Sequence, residues 1–199
     1  MTDLTQFQLC DLLNRPGPLW LVGLSLPEAL LIDANLIGAH LQLANLSGAN
    51  LQGAKLHGAN CRSANLSGAN LSGADLSLCD LSRVDLSGAD LTHAKLLGVD
   101  LSHANLSGAK LTGASLNTSS LHRANLRGTT LQHASLIGVN LSEADLTDAD
   151  LSEADLTMAD LSHADLHNAN LREAILDNTE LAAANLAGAT LADGTRQMA

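Results

Sequence analysis

Leucine recurs at every fifth position of this chain from Leu26 to Leu191, without insertion or slip. Of the 34 positions in that register, 33 are Leu and one is Cys61. Two residues before each stands a small residue. From Ala29 to Ala189, 26 of 33 such positions are Ala, the exceptions being Cys79, Val84, Val99, Ser119, Thr129, Val139 and Thr179. The residue in between is Asp or Asn in 21 of 33 cases, and polar residues or Gly follow most of the Leu. Ala64–Gly68 and Ala144–Asp148 show the unit plainly.

A period of five suits neither regular element. On a helix turning about 100° per residue, steps of five scatter the leucines around the cylinder. On a flat strand they alternate between opposite faces. Within one unit, however, the Ala-x-Leu spacing of two puts both side chains on one face, and the following Ser-Gly-type pair supplies a turn. A chain that turns after every unit points each Ala and Leu inward and the other three positions outward. Four units close a square coil of about 20 residues, and successive coils stack at roughly 4.8 Å. The pattern therefore predicts about eight coils in a rod on the order of 40 Å long.

Composition sharpens this picture. The chain has 199 residues, 46% hydrophobic, with one Phe (Phe7), one Trp (Trp20) and no Tyr. A conventional core relies on aromatic bulk, whereas a narrow coil taking four Leu and four small residues has no room for it. Disorder is excluded by the abundance of Leu and Ala. The longest apolar stretch, around Leu19–Leu26, is too short to span a bilayer. Met1–Leu13 lacks the features of a secretory signal, so a cytoplasmic location is expected.

The unit resembles the pentapeptide-repeat family, whose pattern reads A(D/N)LxX, over about 165 residues. The resemblance implies an all-β fold, a right-handed quadrilateral β-helix with Leu at the centre of each side. The all-Leu register is similar to the Leu-rich members abundant in cyanobacteria, one of which inhibits heterocyst differentiation. Other members bind DNA gyrase in place of DNA and protect it from fluoroquinolones. Those commonly carry Phe at the central position and sometimes projecting loops, and this repeat has neither.

The ends read differently from the middle. Residues 1–23 are expected to form an N-terminal cap, a short amphipathic helix over Leu4–Leu13 stopped by Pro16-Gly17-Pro18, with Phe7 and Trp20 packed on the first coil. The solenoid is expected over 24–193, with 194–199 as a C-terminal tail too short to cap anything. The last coil carries Ala182, Ala183, Ala187, Leu191 and Ala192 on a smooth end, which together with the resemblance suggests a homodimer joined there.

Positions 20 apart stack, so outward residues sort into columns. One side carries Ile37, Leu78, Leu97, Ile137, Met158 and Ile175, a candidate protein-contact stripe, weighed against the scattered apolar residues of any surface. Another stacks Gly48, Gly68, Gly88, Gly108 and Gly128, as turn geometry requires. Charge is uneven: residues 1–140 hold nine acids and eight bases, while 141–193 hold twelve acids and one base, Arg172. Glu143, Asp145, Asp148, Asp150, Glu153, Asp155, Asp160 and Asp165 form a belt suited to a basic protein surface and hostile to nucleic acid. The plainer account is solubility, plus Asp and Asn bonding the backbone at corners.

Catalytic and metal chemistry find no foothold. His93 and His133 lie two coils apart and His103 and His163 three, too far to share an ion; His103 and His122 come nearer but have no third ligand. Cys61 and Cys79 stand at inward positions as small apolar residues, in keeping with a reduced compartment. No nucleophile–base pair or phosphate loop is visible. The sequence thus predicts a protein without cofactor or catalysis that presents its outer columns to a protein partner, with a gyrase-directed DNA mimic as the rival reading.

Overall fold

A computed structural model describes Asp11, Leu13 and residues 17–197. Parallel bridges join each residue midway between Ala and Leu to the residue 20 later, from Trp20↔His40 to Asn170↔Thr190. Four bridged positions, five residues apart, complete one revolution, as the leucine period requires.

The interior is dry. From Leu36 to Leu171 every residue in the leucine register is at most 1% exposed, and from Ala39 to Ala169 every residue in the alanine register at most 2%. Burial of a Leu contributes roughly 2 kcal/mol, opposed by backbone ordering of similar size, so only uninterrupted stacking makes such a rod stable.

Amide accounting explains the consensus. In the unit Leu66–Asn70, Leu66 donates to Asp85 O (2.7 Å), Gly68 to Ser87 O (2.8 Å) and Asn70 to Ala49 O (2.9 Å), linking three coils. Ala69 closes the turn on Leu66 O at 3.0 Å. That leaves the amide of Ser67, which donates to Asn65 Oδ1 at 3.0 Å. The Asp/Asn preference thus serves the one backbone donor that the ladder leaves over. From Asn35 to Asn185, every Asn or Asp at this position accepts the amide two residues on.

The second residue after each Leu has positive φ at every unit from Gly23 to Gly188. With negative φ before it and the closing Leu–Ala bond, this is the signature of a type II turn. Glycine fills 14 of these 34 sites, and residues as unsuited as Thr118 (φ 57°) fill others.

Both ends depart from expectation. Asp11 and Leu13 are helical, and Leu13 packs against the core; Phe7 and most of the expected cap helix lie outside the described residues. Trp20 does not pack beneath a cap. It is 75% exposed and stacks on His40 with ring centroids 3.9 Å apart, because it occupies the outward bridging position one coil before His40. At the other end, the stretch read as a tail folds back. Leu191 donates to Thr195 O, Gly188 to Gln197 O and Gln197 to Ala189 O, while Arg196 pairs antiparallel with Thr190. The turn is held by Asp193 Oδ1, which accepts from Thr195 N at 2.8 Å. One side of the last coil is therefore covered, whereas Leu176, Leu181 and Leu186 stay partly exposed.

Candidate interaction surface

Side chains at the left-handed corner position lean toward the following coil. A Cβ added to Gly98 would meet Leu78 Cδ2 at 3.0 Å, and one on Gly113 would meet the His93 ring at 2.5 Å. The same vector joins side chains along columns: the ion pair Arg123–Glu143 at 2.7 Å and the contact of His133 Nδ1 with Glu153 Oε2 at 3.3 Å each link residues 20 apart. Sequence reasoning did not supply this direction, because column membership says what stacks but not which way a side chain tilts.

It changes the acidic belt. Glu143 receives a hydrogen bond from Arg123, which holds its carboxyl below the usual range despite some desolvation. Asp148 pairs with Arg127 at 3.3 Å and accepts from Asn168. Asp150 accepts from Gln132 Nε2 (2.6 Å) and Asn170 Nδ2 (2.9 Å); burial pushes its pKa up, but these bonds and those from Ser152 hold it below the usual range. Asp145, Asp155, Asp160 and Asp165 each use Oδ1 on their own corner amide. Asp145 stacks on Asp165, and Asp160 on Glu180. The uncompensated charge thus concentrates toward Asp155, Asp160 and beyond.

The apolar stripe resolves into one corner and its margin. Ile37, Leu97 and Ile137 share one column and Leu78 and Met158 the next, while Ile175 pairs with Asp155 on the adjoining flat. Ile137 is half-buried; the other five are about half exposed or more, Met158 reaching 64%. Asn117 interrupts the stripe, its Oδ1 accepting from Ile137 N and Ser135 Oγ. A second exposed set, Trp20, Val22, Leu30, Ile32 and Leu43, rings the first coils; its members stand at outward register positions, which was the signal available for them.

Of the candidate end residues, Ala182 and Ala183 are exposed, and Ala187, Leu191 and Ala192 partly so. Among the described residues no three His, Cys, Asp or Glu are placed to hold a metal ion. His103 and His122 meet edge-on at 6.0 Å, with His122 Nδ1 on Ser142 Oγ at 2.9 Å. No helix among the described residues is long and apolar enough to cross a membrane.

The family profile for pentapeptide repeats matches in eight copies, over 25–60, 44–83, 59–98, 85–123, 119–157 and 159–193. This chain belongs to the pentapeptide-repeat family. Its fold is accordingly a right-handed quadrilateral β-helix. Among solved structures it is similar to HetL, a pentapeptide repeat protein involved in heterocyst differentiation regulation from the cyanobacterium Nostoc sp. strain PCC 7120: 32% identity over 99% of this chain and all of that one, TM-score 0.54. It also shares the fold of QnrB1, a plasmid-mediated fluoroquinolone resistance protein, in a trypsin-treated form: 23% identity over 86% of this chain and 90% of that one, TM-score 0.59. Comparison with curated protein sequences yields no match.

Proposed function

We propose that this pentapeptide-repeat protein is a non-catalytic, cytoplasmic scaffold, a rigid rod whose outer columns engage a protein partner in a regulatory role. The observation that carries this reading is the interior: a leucine and alanine register at most 2% exposed over most of its length leaves the variable outward residues as the place for chemistry. Full-length similarity to HetL, a protein of differentiation regulation, supports the regulatory part. In the finer architecture proposed, about eight coils follow an N-terminal cap that ends before Leu19, since Trp20 and Gly23 already belong to the first coil, and the partly exposed Leu176, Leu181 and Leu186 end serves as a homodimer contact. Affinity capture with the full chain tests the scaffold reading, repeated with Glu153→Gln, Asp155→Asn and Asp160→Asn, since Asn keeps the corner hydrogen bond. A specific protein captured by the parent and lost from the variant is expected. Recovery of no specific protein, with turnover of a substrate instead, overturns the reading.

Mimicry of DNA toward gyrase is the second reading, and the excess of acid over 141–193 is what favours it. The pairing of Glu143 and Asp148 with Arg123 and Arg127 counts against it, since phosphate mimicry needs open charge. Supercoiling by purified gyrase decides: no inhibition or protection at micromolar protein removes it.

A further inference from the structure

Acidic and apolar candidates, read separately from the sequence, converge at one corner. Ile137, Met158 and Ile175 lie on three successive coils in three neighbouring columns, rising about 10 Å along the rod at the strand spacing. On one margin stands Asp155, bridged to Ile175; on the other Asp160 stacks on Glu180. Both aspartates are fixed by their corner bonds to Thr157 N and Ser162 N at 3.0 and 2.9 Å. Ile175 stands in the column of Asp155, and exposed Asp177 stands in the column of Ile137, so large apolar and acidic side chains are interleaved across this corner, a combination suited to a protein contact.

Resting on the scaffold reading above, we infer that this corner docks a cationic amphipathic helix of a partner protein, its apolar face on Ile137, Met158 and Ile175 and its Lys or Arg flanks on Asp155, Asp160 and Glu180. Three arguments select that occupant. First, the backbone here offers no open strand edge: Asp155 pairs with both Ser135 and Ile175, and Asp160 with both Asn140 and Glu180, so an extended peptide cannot add to the sheet. Secondly, helix residues i and i+7 are separated by about 10 Å, the same as the rise along the rod axis over these three coils. Thirdly, charge excludes the rivals. A second copy using this same face would bring acidic margins against each other, and an anionic membrane surface would be repelled.

The test measures fluorescence anisotropy of the full chain with a labelled Leu/Lys helix of about 18 residues, five turns, with leucines at i, i+3, i+4 and i+7. Two controls are a scrambled peptide of identical composition and a Leu/Glu counterpart. The expected result is saturable micromolar binding of the Leu/Lys helix alone, weakened at least about tenfold by Met158→Lys, by about threefold in the milder Met158→Ala, and by raised salt. Equal binding of the scrambled peptide, no binding to 1 mM (roughly −4 kcal/mol), or affinity indifferent to both Met158 variants overturns the proposal. So does a concentration-dependent dimer abolished by Met158→Lys, which gives the corner to a second copy. If the parent captures a specific protein and both Met158 variants capture it equally, this site fails while the scaffold reading stands.

Discussion

Ser119 stands inside the turn of Val99: the Val99 amide donates to Ser119 Oγ at 3.1 Å, and that hydroxyl donates onward to Leu96 O at 2.6 Å. The usual turn closure, Ala amide to Leu carbonyl, is thereby bridged through a side chain from the next coil. Cys79 and Thr179, in the same inward column, also donate to a Leu carbonyl 23 residues back, Leu56 and Leu156, but there Ala59 and Ala159 keep their own closures. Ser119→Ala is expected to cost about 1 kcal/mol, because the Val99 turn can close directly once the hydroxyl is gone. Ser119→Val, although matching Val99 and Val139 in its column, leaves less room and keeps the amide from its acceptor. It is expected to cost about 2–3 kcal/mol. Urea denaturation midpoints compare the two; equal losses would contradict the bridging role.

Thr118 lies in the left-handed region with φ of 57°, a conformation costing an L residue roughly 1–2 kcal/mol and least suited to a β-branched one. Its hydroxyl donates to the adjacent Asn117 carbonyl. Thr118→Asn, a residue that tolerates this region, is therefore expected to stabilise the rod by up to about 1 kcal/mol. Gly113→Ala runs the other way, since its φ is +65° and the new methyl group collides with the His93 ring. Thermal unfolding of the two variants should move in opposite directions.

The repeat made the interior legible because register alone decides burial: Leu66, Ala69 and their equivalents face inward whatever surrounds them, and Cys61 follows its position rather than its chemistry. The corner role of Asn65 was equally visible, since a two-residue reach needs no tertiary information. Trp20 was misplaced because aromatic size was weighed above register, although its outward position was written in the spacing to His40. The fold-back of Arg196 escaped because the Asp193-Gly194 turn lies beyond the last unit and obeys local rules. The tilt of Leu78 over Gly98 and of Arg123 onto Glu143 depends on turn geometry in three dimensions. That tilt is what turned an apparent belt of eight acids into a partly neutralised one.

Asp150 illustrates how an acid of the belt differs from an interaction residue. It accepts from Ser152 N and Oγ, Gln132 Nε2 and Asn170 Nδ2. Asp150→Ala strands those donors and is expected to cost about 2–3 kcal/mol, whereas Asp150→Asn keeps the corner acceptor and costs less than about 1 kcal/mol. Burial raises the pKa of Asp75, Asp90 and Asp150, but hydrogen bonds from Ser77, Thr92 and Ser152 outweigh it, leaving each below its ordinary value. A folded pKa depressed in this way gives stability that is present above the unfolded value, near 3.9, and lost as pH falls through the folded one. Denaturation midpoints should therefore hold from pH 7 to about 5 and fall below about 4. Asp150→Asn should flatten part of that fall.

Alkaline pH probes the interior instead. Cys61 and Cys79 are buried, and desolvation is the main cause that raises both thiols, Cys61 well above its ordinary value with Cys79 and Asp80 adding to it, and Cys79 to about 12 with Asp75 and Asp80 adding to it. The sign follows from linkage. Well below the unfolded value, near 8.5, both folded and unfolded thiols are protonated, so nothing is lost. Between about 9 and 12 the unfolded thiols ionise while the folded Cys79 does not, and stability drops by roughly 1.4 kcal/mol per pH unit per thiol. A Cys61→Ala, Cys79→Ala variant should start less stable, because Cys61 helps fill a leucine position, yet lose less between pH 9 and 11 than the parent. In the native parent at pH 8, iodoacetamide should leave both thiols unmodified until denaturant is added, since burial and protonation together withhold the thiolate. Mass spectrometry after a timed pulse reads this directly. Rapid native labelling at either cysteine would mean that the coil opens far more readily than its packing implies.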